Sequence, residues 1–231
     1  MKMLSFSNAG REGSNQYRVL ICGEHETKLI AVADGMGGKE AGDVASEIAI
    51  NTLKSEYDAK HQIVLKQAFQ KVKENLVSYS LDNGIDQMGT TLTACLLIDG
   101  VGYVAHVGDT RLYHLRNKGI LGITKDQSEL QQLIDDGVLS KKRALKYHRK
   151  NVLLSALTNY SDYELFETQF TTQKNDRLVL LSDGVYKVVS KADIRDVSVK
   201  SESLESFVQA TELLIQSRTI TDDYSLVAYE A

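Results

Sequence analysis

Proline and tryptophan are absent from this 231-residue chain, and cysteine occurs twice. With no proline to preset φ, tight turns fall to Gly, Asn and Asp, which tolerate left-handed backbone or bond to it locally. Cys22 and Cys95 each lie inside an apolar segment without the paired spacing of a zinc site or a disulfide framework, so both read as packing residues. No apolar run reaches the roughly 18 residues of a membrane-spanning helix. Residues 1–9 lack the features of a secretory signal, and a cytoplasmic protein with no membrane partner is expected. A net charge of −4 disfavours a nucleic-acid partner held through phosphate contacts. His25, His61, His106, His114 and His148 show no metal-binding spacing, and His106 and His114 read as structural.

What is present is ordinary globular material. With 42% hydrophobic and 25% charged residues, the chain can bury a core in one domain spanning 1–231. Residues 17–22 and 28–33 read as the two strands of a hairpin. Ala41, Val44, Ala45, Ile48, Ala49 and Leu53 recur at helical spacing, predicting a helix over 40–57 and a second over 59–81. Residues 90–98, 101–106 and 110–116 run apolar or alternate between the turn sequences Asp99-Gly100, Gly108-Asp109 and Asn117-Lys118-Gly119. They predict an antiparallel meander. Helices over 129–136, 141–148 and 203–218, with strands over 177–181 and 225–229, complete an α+β pattern. Antiparallel sheets layered with helices on both outer faces follow from it.

The chemistry-bearing stretch is Asp34-Gly35-Met36-Gly37-Gly38, at the end of the apolar run 29–33. Three glycines at fixed offsets beside an aspartate arise by chance on the order of once in 10⁴ to 10⁵ positions. The pattern sets a carboxylate at a strand end and leaves bare backbone beside it for an ion and its waters, although a plain strand-to-helix turn uses the same glycines. Asp109, Asp183 and the pair Asp222-Asp223 repeat the placement at the ends of other apolar segments. Mg²⁺ and Mn²⁺ take carboxylate, carbonyl and water oxygens, and aspartates on several strand ends can hold two such ions.

Six stretches then occur in a telling order: VADGMGGKEAGDVASEIA (32–49), GTTLTACLL (89–97), VAHVGDTRLYHLR (104–116), HRKNVLLSAL (148–157), LVLLSDGVYKVV (178–189) and DDYSLV (222–227). Together they resemble the metal-dependent serine/threonine protein phosphatases of type 2C in their compact bacterial form. The resemblance spans nearly the whole chain. It implies a four-layer αββα sandwich with a flap over residues 124–160, and two Mn²⁺ or Mg²⁺ ions with a weaker third. Carried over by motif, Asp34 bridges both metals, the Gly35 carbonyl helps bind the first, and Asp183 and Asp222 hold the second. Asp109, with Asp183, resembles the third site. Asp223 serves the turn, Gln16 orients a metal-bound water, and Arg11 grips the substrate phosphate through a bidentate guanidinium. Thr90 and Thr91 read as strand residues near the cleft.

The implied reaction is hydrolysis of phosphoserine and phosphothreonine by a hydroxide bridging the two metals, with no covalent enzyme intermediate. Neither cysteine has the setting of a phosphatase thiol. Phosphorylated proteins are the expected substrates, a bacterial Ser/Thr kinase and its targets the expected counterpart, and a monomer the expected state. Three features depart from the family pattern. Tyr17 stands where an acid is usual, Arg11 sits one residue out of its usual spacing, and Met36 occupies a position where some relatives carry histidine. A non-catalytic phosphoprotein-binding module on the same fold, and a phosphatase for small-molecule phosphates, are the other readings.

Overall fold

The computed structural model describes residues 2–10, 15–23, 27–36, 39–60 and 63–231. Two antiparallel sheets lie face to face. One has the order β1 (Lys2–Asn8), β11 (Tyr224–Glu230), β10 (Arg177–Leu181), β6 (Arg111–Arg116) and β7 (Gly119–Gly122). The other runs β2 (Tyr17–Cys22), β3 (Thr27–Met36), β4 (Gly89–Ile98), β5 (Val101–Val107) and β9 (Phe166–Thr171), with β8 (Leu157–Thr158) pairing the start of β4. The hairpin expected over 17–33 forms, and its second strand continues through Asp34 and Gly35 to Met36, paired with Gly89 to Thr91.

Alternation along β3 explains the layering. Ile30 and Val32 point into the space between the sheets, where they meet Leu112, Leu178, Leu180 and Val227. Leu29, Ala31 and Ala33 point the other way, against α1 (Lys39–Lys60) and α2 (Leu65–Asn83) through Ala45, Ala49, Leu53 and Phe69. Strands covered on both faces read as continuous apolar runs, as these do. The outer face of the first sheet is covered by α6 (Lys191–Lys200) and α7 (Leu204–Gln216), which bury Ile194, Phe207 and Ile215. The result is the αββα sandwich of helix-backed antiparallel sheets. Ser190 and Ser203 start those helices with reciprocal capping boxes.

Turns without proline behave as composition requires. Asp99, Gly100, Asn117 and Asn175 all take positive φ, between 49° and 77°. Several expectations need correction. The meander breaks at Gly108-Asp109, because β5 stays in one sheet while β6 pairs β10 and β7 in the other. The second long helix begins at Leu65 rather than 59. The helix expected over 141–148 is one turn, α4 (Lys141–Ala144), since Ala144 is the one buried residue among the side chains described there. The edge strands β1 and β9 escape sequence reading because neither shows a buried apolar run. α3 (Glu129–Asp135) forms close to expectation, and α5 (Asp183–Tyr186) is a short turn leading out of β10.

Candidate metal centre

Asp34 follows Ile30 and Val32 on the inward face of β3, so the alternation that builds the core also delivers its carboxylate between the sheets. Tyr17 faces it across β2 and Thr91 across β4. Gly35, one residue on, faces the helix side. A Cβ there would lie 1.9 Å from the Gly42 carbonyl oxygen of α1. The glycine therefore permits close approach of helix and strand, and the room for an ion expected beside it is filled by α1. Gly37 and Gly38 lie outside the described residues.

The other aspartates arrive by comparable turns. Gly108, at φ 108°, carries the chain from one sheet toward the other and presents Asp109. β10 ends at Leu181 and Asp183 opens α5, where Gly184 is pressed so close to β11 that a Cβ would stand 1.7 Å from the Asp223 carbonyl oxygen. That contact sets Asp222 beside Asp183. Asp34, Asp109, Asp183 and Asp222 thus line one cavity of about 210 Å³, together with Tyr17 and Lys187.

Asp183 is nearly buried and fully engaged. The Tyr17 hydroxyl donates to its Oδ1, and the Lys187 ammonium donates to Oδ2 at 2.5 Å. The same ammonium stands 3.6 Å from Asp222 Oδ2. Asp109 accepts from the Tyr186 hydroxyl at 2.9 Å, and Arg111 covers the Tyr186 ring at 3.6 Å while clasping Asp126 through two nitrogens. Asp34 differs: no described residue donates a hydrogen bond to its carboxylate, although Thr90 donates to its backbone carbonyl at 2.9 Å.

Crowding of negative charge governs the titration of these groups. Burial first, then the charges of Asp183, Asp109 and Asp222, hold the Asp34 carboxyl well above the usual range. Burial and then Asp183 push Asp109 up to about 7, and the same causes raise Asp222. The Tyr17 phenol is raised far above its ordinary value by burial and by Asp34 and Asp183, so it remains a donor. Burial lowers Lys187, but Asp183, Asp222 and Asp109 outweigh it and keep the ammonium charged.

Of the remaining expected residues, Gln16 lines the cavity and Asp109 joins the carboxylate cluster, while Arg11 lies outside the described residues. Asp223 also lines the cavity, but its two carboxylate oxygens accept the backbone N–H groups of Gly10 at 2.7 Å and Gln16 at 2.9 Å, tying the N-terminal loop to β11. His106 bonds Thr93 and the Lys125 carbonyl, and burial lowers it to about 4. His114 bonds Asp176. Both histidines are thus held inside structural networks. Burial pushes the Cys22 thiol up to about 11, Cys95 is raised further, and neither touches the cavity. Met36 lines it without a polar contact.

Sequence reasoning missed Lys187, Asn151 and Leu153, all of which line the cavity. A signal existed for Lys187, since four residues past Asp183 on a helical turn is the spacing of an ion pair. Asn151 and Leu153 are brought in by the flap, which is stitched to the sheet through Gln127: its N–H donates to the Gly108 carbonyl, and its carbonyl accepts from Leu154.

The carboxylates of Asp34, Asp109, Asp183 and Asp222 suit a hard divalent cation, and no imidazole or thiol lines the cavity among the described residues. Two further observations agree. The Asp34 carboxylate has no donor among the described residues, and the Thr91 hydroxyl beside it in register is buried without a hydrogen-bond partner. Among the described residues, however, no three acidic, histidine or cysteine side chains converge into a ready ion clasp. A phenol and an ammonium stand between the carboxylates instead.

Inward-facing carboxylates gathered in one cavity between two helix-backed antiparallel sheets define an α+β sandwich with an acidic site. The chain belongs to the protein phosphatase 2C family, whose family model matches residues 7–220. It is 34% identical over 185 residues to the serine/threonine phosphatase stp of Listeria welshimeri, covering 76% of this chain and 73% of that one. The fold is similar to the Mycobacterium tuberculosis serine/threonine phosphatase PstP/Ppp, at 27% identity and TM-score 0.89, covering 99% of this chain and 97% of the other. The catalytic domain of PstP in complex with two manganese ions aligns at 26% identity and TM-score 0.86, with the same coverage.

Proposed function

We propose that this chain is a Mn²⁺- or Mg²⁺-dependent protein phosphatase that hydrolyses phosphoserine and phosphothreonine. The observation that carries the reading is the Asp34 carboxylate, half-buried among three other aspartates and without a hydrogen-bond donor among the described residues. Such a group is stable as an anion only beside a cation. Asp34, the Gly35 carbonyl, Asp183 and Asp222 hold the ions, with Asp109 at a weaker third position and Gln16 reached through water. Divalent ions bound there supply a water activated near neutral pH and offset charge on the phosphoryl oxygens. Arg11 is the phosphate grip in this reading.

The protein residues supply position and exclusion of water. Asp223 braces Gln16 against β11, and Gln127 fixes the flap beside Asp109. A cavity of about 210 Å³ accommodates a phosphoryl group with its waters, leaving the attached polypeptide outside. There it meets the flap, residues 124–160 of a single catalytic domain spanning 1–231. Between residues 137 and 161 the flap carries no acidic side chain, and Lys142, Arg143, Lys146 and Lys150 are exposed. That charge favours a phosphorylated protein over a small phosphate. Relatives bearing phosphatase names disfavour a non-catalytic module. The physiological setting in this reading is the cytoplasm, with the chain acting as a monomer against a Ser/Thr kinase. No described helix is long and apolar enough to cross a membrane.

The test is hydrolysis of a phosphothreonine peptide with and without Mn²⁺. Asp34→Asn and Asp183→Asn are each expected to lower kcat by at least about 10²-fold, the scale of removing a transition-state charge stabiliser. Activity that survives both substitutions and chelation overturns the reading.

A further inference from the structure

We propose that Lys187 is a built-in counter-cation of the acidic cavity that competes with the second divalent ion, so that a Tyr17–Asp183–Lys187 clasp makes the affinities of the two ions very unequal. The inference rests on the reading of the cavity as a metal centre. Its basis is the occupancy of Asp183. A carboxylate has two oxygens, and here both are taken: Oδ1 by the Tyr17 hydroxyl and Oδ2 by the Lys187 ammonium at 2.5 Å. The same nitrogen lies 3.6 Å from Asp222. An ion held by Asp183 and Asp222 needs these oxygens, and the ammonium already stands between them. Asp34 carries no such encumbrance, since no described residue donates to its carboxylate. The first ion therefore enters uncontested, whereas the second must displace a charge.

The lysine is well placed for that exchange. Its backbone N–H donates to the Asp183 carbonyl at 2.9 Å, which anchors the Cα one turn from the carboxylate it neutralises. Its side chain is 32% exposed, against 13% for Asp183. A flexible four-carbon stem at the rim can swing its ammonium into water when a dication takes its place. Tyr17 cannot do the same, being a core residue of β2 that is 3% exposed. Its hydroxyl remains over Asp183 and leaves one oxygen shared. Lys187 is thus a positioning residue: it holds Asp183 and Asp222 together without a metal and sets the concentration at which the second ion binds.

The measurement is calorimetric titration of the metal-free full chain with Mn²⁺, with bound ions counted by electron paramagnetic resonance. Lys187→Gln, Lys187→Arg and Tyr17→Phe are compared with the parent and with Lys118→Gln, which removes a charge in the β6–β7 turn. The parent is expected to show one tight and one weaker ion. Lys187→Gln should tighten the weaker ion tenfold or more and lower the melting temperature of the metal-free protein. Lys187→Arg and Lys118→Gln should follow the parent, while Tyr17→Phe tightens the second ion less than Lys187→Gln. Two equivalent ions in the parent overturn the proposal, as does an unchanged isotherm in Lys187→Gln or equal tightening by Lys118→Gln. Absence of Mn²⁺ uptake in every protein overturns the metal-centre reading as well, so the two failures are distinguishable.

Discussion

Gly35→Ala adds one methyl group and leaves the backbone carbonyl that is proposed to touch the metal. Built on the present backbone, that methyl would lie 1.9 Å from the Gly42 oxygen and 2.4 Å from its carbonyl carbon. Both atoms belong to main chain, so no rotamer change relieves the clash. Contacts below 3.0 Å are essentially never made by a real Cβ, and β3 and α1 must separate by about 1 Å. The helix cannot retreat without loosening Ala45, Ala49 and Leu53, all fully buried against the sheet. Overpacking of this kind costs roughly 1–3 kcal/mol. For a chain of this length each kcal/mol moves the melting point by about 2–4 °C, which places the expected fall at roughly 2–12 °C. Displacing Asp34 by a comparable distance should lower kcat on the order of 10²-fold. Gly122→Ala is the control: its nearest neighbour would be the mobile Lys191 Nζ at 3.5 Å, and a change within about 0.5 kcal/mol is expected. Urea denaturation and phosphopeptide turnover measure both quantities. A Gly35→Ala protein as stable and active as the control would refute the packing argument.

The raised carboxyls give the metal-free protein a distinctive pH response. Asp109 is held at about 7 in the fold against an ordinary 3.8, so the native state keeps a proton that the unfolded chain releases. Its contribution is full below pH 4 and is lost as pH rises through about 7; urea melts in a chelator should show stability falling over that interval. Asp109→Asn should flatten this slope, and equal slopes in the two proteins would contradict the assignment. At the flap, combining Lys142→Glu, Arg143→Glu and Lys146→Glu should raise KM about tenfold for a phosphopeptide with acidic flanks. Turnover of an aryl phosphate should change far less, and the peptide effect should shrink with added salt as screening replaces the lost attraction. Equal KM values before and after charge reversal would remove the flap from substrate recognition.

The sequence alone determined the skeleton of this protein. Residues 29–33 and 178–181 were legible because strands covered on both faces are apolar without interruption, and turns such as Asp99-Gly100 carry Gly, Asn and Asp. Asp34, Asp183 and Asp222 were legible for a related reason: a charged residue at the end of such a run has no packing role there. Local pattern could not decide which sheet a strand joins. β6 looks like the third strand of a meander, yet pairing with β10 at Val179 and Leu180 sends it to the opposite sheet. Nor could it decide what a glycine is for. Gly35 was read as space for an ion and proves to be space for α1, because side-chain alternation points it away from the cavity. Tyr17 and Lys187, 170 positions apart, meet on one carboxylate only because β2 and α5 converge at the cleft between the sheets. A carboxylate's partners are set by distance in space, and that distance exists only once the two sheets have packed.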